Sequence, residues 1–233
     1  MQKINARQAL TPNGWVTDCC IEIDQGTIQR LSNGIEPLHP TVDLLLPAPV
    51  NLHSHAFQRA MAGLTETRGP DPRDSFWTWR RLMYRFLDRL TPDQVEAIAA
   101  QVFMEMLEAG YGAVAEFHYL HHDIGGAPFA NATEMADRIA MAARDTGLGL
   151  TLLPVLYTQG GCDGRALEGG QRRFGCDLDR FAQLHADTAR LMADAPHDLA
   201  LVEVGMGGDD DATTVLPDCA AAVITPVAQD PEA

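Results

Sequence analysis

The run "DLLLPAPVNLHSH", residues 43–55, decides how this chain is read. Its first ten residues are nearly all apolar, and a short run of this kind predicts one strand, 43–52, buried on both faces as in a parallel sheet. The run ends in His53-Ser54-His55. On a strand, residues i and i+2 share a face, so both imidazoles project to one side at the C-terminal end of the strand. Barrel active sites are built at that end. Two imidazoles on one face suit a divalent transition metal, most often zinc. On spacing alone, surface or hydrogen-bonded histidines fit the pattern as well.

Outward from this run the chain alternates. Upstream, residues 1–43 carry turn signals at Asn13-Gly14, Asp24-Gln25-Gly26 and Asn33-Gly34, and read as a small antiparallel β unit. Downstream, "FWTWRRLMYRFLDRL" has apolar residues at helical spacing. Thr91, Pro92 and Gln94 form a capping-box signature for a helix that runs to about Ala109 and stops at Gly110. Strands are expected over 112–120, 148–158 and 198–206, and helices over 133–147 and 177–194. This order predicts βαβ units and a parallel sheet. A closed eight-stranded barrel takes ~250 residues, so 44–206 covers about half of one.

Bulk properties narrow the function. The 233 residues are 46% hydrophobic, enough for a sizeable core. Net charge is −15, and no Lys or Arg follows Arg190, which argues against nucleic-acid or anionic-membrane partners. The five cysteines (Cys19, Cys20, Cys162, Cys176 and Cys219) form no CxxC pair, and fit a reducing cytoplasm. The N-terminal residues show no secretory h-region, and no apolar run reaches membrane-spanning length.

Several phrases occur together and in order: "VNLHSHAFQRAMAG", "FWTWRRLMY" (76–84), "GAVAEFHYLHHD" (112–123), "LLPVLYT" (152–158) and "GGQRRF" (169–174). Over roughly 40–205 the chain resembles the amidohydrolase superfamily, and within it the formimidoylglutamate deiminase family of histidine degradation. The resemblance implies an α/β fold of the (β/α)8-barrel type with a small β-sandwich portion. It implies one bound zinc and hydrolysis of N-formimino-L-glutamate to N-formyl-L-glutamate and ammonia. His53 and His55 match the two first-strand metal ligands. Gln58, Arg80 and Tyr119 match substrate-binding positions, with Arg81 a neighbour that the sequence does not separate from Arg80. The chemistry agrees, because a guanidinium fork matches a carboxylate, and a metal-bound water is a nucleophile near neutral pH.

The resemblance stops near Met206-Gly207. The His-x-x-Glu phrase, the later His and the late Asp of the family do not follow, so the acid/base stays unassigned. The reading is three segments: 1–43 as the β portion, 44–206 as the first half of a metal-dependent barrel, and 207–233 as an acidic tail. Such a chain reads as truncated or frame-shifted, or as a genuine short relative, with little activity of its own. Alternatives are a guanine- or aminotriazine-type deaminase, and a non-catalytic remnant that binds metal weakly. Association with other copies of the chain is left open.

Other residues carry simpler expectations. His121 and His122 read as solvated loop residues, and Trp77 and Trp79 as core. Glu116 reads as a partner that orients a ligand histidine. Arg172-Arg173 fit a carboxylate clamp or a loop pin equally, and Asp209 to Asp211 read as solvated.

Overall fold

The structure, a computed structural model, describes residues 1–65, 76–161 and 163–193. The expected strand 198–206 and the acidic tail lie outside the described residues. Two compact units divide between Pro49 and Val50.

The first unit is a four-stranded sheet of β1 (Gln2–Thr11), β2 (Gly14–Asp24), β3 (Thr27–Asn33) and β4 (Thr41–Leu45), in the order β3-β2-β1-β4. β1, β2 and β3 pair antiparallel through tight turns, and β4 joins β1 in parallel. Asn5 is fully buried and holds the connection into β4: its side chain donates to the carbonyl of Glu36 at 2.8 Å and accepts from the Glu36 N–H at 3.0 Å.

The run that opened the sequence reading is therefore not one strand. Thr41–Leu45 belongs to the first sheet, and β5 (Val50–Ser54) opens the second. Pro47 and Pro49 lie between them. Proline lacks an N–H to give to a ladder and fixes φ, so it breaks a strand that hydropathy alone would continue. The expected burial on both faces is absent too, with Leu52 74% exposed. β5 is an edge strand that pairs only with β6 among the described residues.

In the second unit β5, β6 (Ala113–His118) and β7 (Gly149–Pro154) form a parallel sheet in chain order. Helices α1 (Phe76–Leu87) and α2 (Pro92–Glu108) connect β5 to β6. α3 (Glu134–Thr146) connects β6 to β7, and α4 (Leu178–Ala193) follows β7. The α/β class and the strand–helix alternation stand as the sequence predicts.

Local rules explain the boundaries. Thr91 caps α2 in a reciprocal box, accepting from the Gln94 N–H at 3.3 Å while its own N–H reaches the Gln94 side chain at 3.1 Å. Gly147 ends α3 in the left-handed conformation, φ 79°. The core lies between sheet and helices, built from Val95, Ala99 and Phe103 of α2, Met135 and Ile139 of α3, and Val114 and Leu152 of the sheet. Trp79 packs partly buried against it, as expected.

Phe103 is fully buried in this core. Phe103→Ala should cost about 3–5 kcal/mol, against about 1 kcal/mol for Thr91→Ala, which removes only the cap. Urea unfolding followed by far-UV circular dichroism measures both, and equal losses would contradict this assignment of the core.

Candidate functional site

β5 delivers the histidine pair to the C-terminal end of the parallel sheet. The two Nε2 atoms converge to 3.0 Å. β6 cradles them. Phe117 stacks on His53 with ring centroids 4.3 Å apart, and its carbonyl lies 3.0 Å from His55 Nδ1. Tyr119 presents its ring to His55 at 5.1 Å.

A carbonyl can only accept, so Nδ1 of His55 carries the proton and Nε2 presents a lone pair toward His53. Burial holds the pKa of His55 below its ordinary value, and His53 adds to this; the Phe117 bond opposes both. The ring thus stays neutral, the form that binds metal. Two nitrogens each about 2.1 Å from one ion lie about 3.0–3.4 Å apart at angles of 90–109°. The spacing of this pair and its tautomer fit two adjacent ligands of one divalent ion. Among the described residues no third His, Cys, Asp or Glu joins them. Catalytic zinc sites use three protein ligands and a water, one protein ligand more than this pair supplies.

The other predicted residues extend the site. Gln58 is half-buried in the 3-10 turn Ala56–Met61 that follows the pair, and its N–H donates to the His55 carbonyl at 2.9 Å. Arg80 is half-buried, and Arg81 is exposed. Arg80 donates from Nε to Tyr84 Oη at 3.0 Å and from Nη2 to Tyr157 Oη at 3.2 Å. Tyr157 contacts Tyr119 at 6.3 Å between centroids, and Tyr119 contacts His55. An aromatic chain therefore links the guanidinium to the histidines, with Phe174 packed against Tyr84, Tyr119 and Tyr157.

Spacing and composition alone do not single out Tyr84, Tyr157 or Phe174. Each lies inside a phrase that carries the resemblance, and Tyr157 falls just beyond a parallel strand, where site residues collect. A cavity of about 640 Å³ near Cys176 and Asp177 includes none of these residues.

One expectation changes, and two are made specific. His121 and His122 are not solvated; they are 2% and 5% exposed. The chain turns inward after β6 because both of their N–H groups donate to the Arg173 carbonyl, at 2.9 and 3.0 Å. His121 Nε2 donates to the Val155 carbonyl at 2.9 Å and His122 Nε2 to that of Gly175 at 2.7 Å. Arg173 is the loop pin: it is fully buried and donates to the carbonyls of His122 and Leu87. Arg172 is exposed.

Glu116 orients no imidazole directly. Its Oε1 accepts the Ala56 N–H at 2.6 Å, and its Oε2 is buried without a partner among the described residues. Burial pushes the Glu116 carboxyl up to about 7, against the opposing bonds from Ser54 and Ala56. Cys176 lies 3.6 Å from His122 Nε2, but burial raises its thiol to about 11, so the pair supplies no thiolate nucleophile at neutral pH.

The profile of the amidohydrolase family matches residues 44–222. The chain belongs to the amidohydrolase family. It is 47% identical over 207 residues to a formimidoylglutamate deiminase of Pseudomonas aeruginosa, covering 86% of this chain and 45% of that protein. The crystal structure of an amidohydrolase from Brucella melitensis superposes with TM-score 0.80 at 47% identity, over 87% of this chain and 45% of the other. Atrazine chlorohydrolase from Arthrobacter aurescens, complexed with zinc, superposes with TM-score 0.63 at 21% identity, over 87% of this chain and 45% of that chain. That likeness is one of fold alone. This chain spans less than half the length of each of these relatives.

The buried histidines set a pH dependence. Burial lowers the pKa of His121 from 6.5 to about 4, the Val155 bond opposing it, and lowers that of His118 in the same direction. Below pH 6.5 the unfolded chain takes up a proton that folded His121 refuses until about pH 4. Stability is therefore complete above about pH 6.5 and is lost as the pH falls toward 4, by about 3 kcal/mol for His121 alone. His121→Gln, which can still donate to Val155, should flatten that slope. Urea midpoints at pH 7 and pH 4.5 test this, and an unchanged slope would show that His121 does not titrate as described.

Proposed function

We propose that this chain supplies the first two metal ligands and part of the substrate wall of an enzyme that hydrolyses a linear amidine, N-formimino-L-glutamate, to N-formyl-L-glutamate and ammonia. The carrying observation is the pairing of two site features. His53 and His55 converge as adjacent ligands, and Arg80 stands at the end of the aromatic chain that starts from them. The 47% identity to a formimidoylglutamate deiminase supports the choice of substrate.

His53 and His55 would hold the metal, which is zinc on this reading. When bound, a zinc ion lowers the pKa of water from 15.7 to about 7 and so supplies a hydroxide nucleophile. The chain's own residues bind and orient. The neutral His55 ring is fixed by the Phe117 carbonyl. Arg80 donates to the phenols of Tyr84 and Tyr157, and its planar guanidinium fork matches the geometry of a substrate carboxylate. Tyr119 lies between these regions and closes one wall, and Gln58 follows the pair on the next turn. A planar aminated ring would gain little from a guanidinium, which favours the dianionic amidine over a guanine-type substrate.

Two measurements test the reading. Zinc binding to the 233-residue chain should be weak and should depend on both ligands. His53→Ala and His55→Ala should each lower affinity more than about tenfold, the lower bound for losing even an outer partner of a ligand. Turnover by this chain alone should stay near background, since the described residues bring only two ligands together. A chimaera that carries residues 1–205 of this chain and the remaining half of the Pseudomonas deiminase should release ammonia from N-formimino-L-glutamate. In that chimaera Arg80→Ala should raise KM about 10- to 100-fold, the equivalent of a lost charged hydrogen bond. Preference for guanine over the amidine would overturn the substrate assignment.

A further inference from the structure

The ladder between β5 and β6 is irregular where it matters most. Its register shifts between Asn51 and Ser54, immediately before the end of the strand, so regular strand pairing does not fix the backbone that carries His55. Something else must, because a ligand pair is useful only if its nitrogens are held to a fraction of an ångström.

Glu116 lies at that break. It is the register partner of Ser54, yet successive strand residues face opposite ways. Phe117 sits against the histidines, and Glu116 shares the other face with Val114, which packs in the core between sheet and helices. From there the carboxyl bonds the residue that follows His55. Oε1 accepts the Ala56 N–H at 2.6 Å. Glu116 is 1% exposed, and no cation pairs with it among the described residues. A carboxyl in that setting costs stability, and an apolar side chain would fill the space at lower cost.

We propose that Glu116 is the positioning residue of the histidine pair, clamping the backbone immediately after His55 so that its Nδ1 meets the Phe117 carbonyl and its Nε2 meets that of His53. The inference rests on the metal reading only for its consequence, ligand affinity; the clamp itself is independent of metal. Glu116 touches no imidazole and works from behind the sheet. It therefore differs from a partner that receives a ligand's second nitrogen, a role the Phe117 carbonyl fills here.

Two measurements on the 233-residue chain test this. Nitrogen-15 NMR without metal reads the Ala56 amide and the His55 tautomer, and calorimetric titration with zinc chloride reads affinity. In the native chain the Ala56 amide proton should lie far downfield and His55 should be fixed with its proton on Nδ1. Glu116→Gln, whose amide oxygen can accept the same N–H, should keep both signatures and an affinity close to native. Glu116→Ala should lose both, with zinc affinity falling about 10- to 100-fold. Should Glu116→Ala fail to fold, Glu116→Asp carries the test. It keeps the carboxyl but withdraws it by one methylene, and should lose the Ala56 signature and the affinity together. A fixed His55 tautomer with native affinity in Glu116→Ala or Glu116→Asp would overturn the proposal. A native chain with both NMR signatures and no zinc binding would instead overturn the metal reading and leave the clamp standing.

Discussion

The parallel pairing of β5 with β6 is the constraint on which the site depends. Parallel neighbours need a long crossover, here α1 and α2, so the groups that meet across the pair are far apart in sequence. His55 finds the Phe117 carbonyl 62 residues away, and Ala56 finds Glu116 60 residues away. Loop-closure entropy rises only slowly with length, so the crossover costs little more than a shorter one would. What repays it is burial. α2 and α3 lay Phe103, Val95, Met135 and Ile139 on the face of the sheet opposite Phe117.

The second unit also buries polar side chains. Glu116, His118, His121, His122 and Arg173 are all nearly inaccessible. Hydrogen bonds to main-chain groups offset part of the cost, while Glu116 Oε2, His118 Nε2, His121 Nδ1 and Arg173 Nη2 are buried without a partner among the described residues. Arg173 is the hub: its carbonyl receives the N–H groups of His121 and His122, and its guanidinium returns to the carbonyls of His122 and Leu87. One side chain thus ties the end of α1, the loop after β6 and the turn at 169–173 into one floor. Phe174, the next residue, is carried from that floor into the aromatic wall beside Tyr84, Tyr119 and Tyr157. Scaffold and candidate site share a backbone there, and the position of Arg80 follows from both.

Membership of the amidohydrolase family explains why these features come together. Parallel α/β folds place their sites at the C-terminal ends of the strands. In this chain, three successive strand ends contribute: the histidines after β5, Phe117 and Tyr119 at the end of β6, and Tyr157 beyond β7. The match of the family profile over 44–222 and the superposition on the Brucella amidohydrolase agree with that arrangement.

Much of this was written in the sequence because it depends on local spacing. The i, i+2 rule put His53 and His55 on one face, Thr91 and Gln94 announced the start of α2, and strand–helix alternation gave the class. Gln58 and Tyr119 could be named from the family resemblance, since they lie within its phrases. Hydropathy failed at 43–52, where the missing N–H groups of Pro47 and Pro49 outweigh an apolar pattern and give β4 and β5 to different sheets. Adjacent residues could not be separated either. Arg80 and Arg81, or Arg172 and Arg173, differ only in which side of a helix or turn meets the rest of the chain, and one of each pair is held inside while the other faces solvent. The burial of His121 and His122 and the placement of Glu116 behind His55 were equally beyond reach. Their partners, Arg173, Val155, Gly175 and Ala56, lie from 34 to 60 residues away. Only the folded sheet brings them together, because hydrogen bonds between distant segments are set by strand register and helix packing, not by sequence spacing.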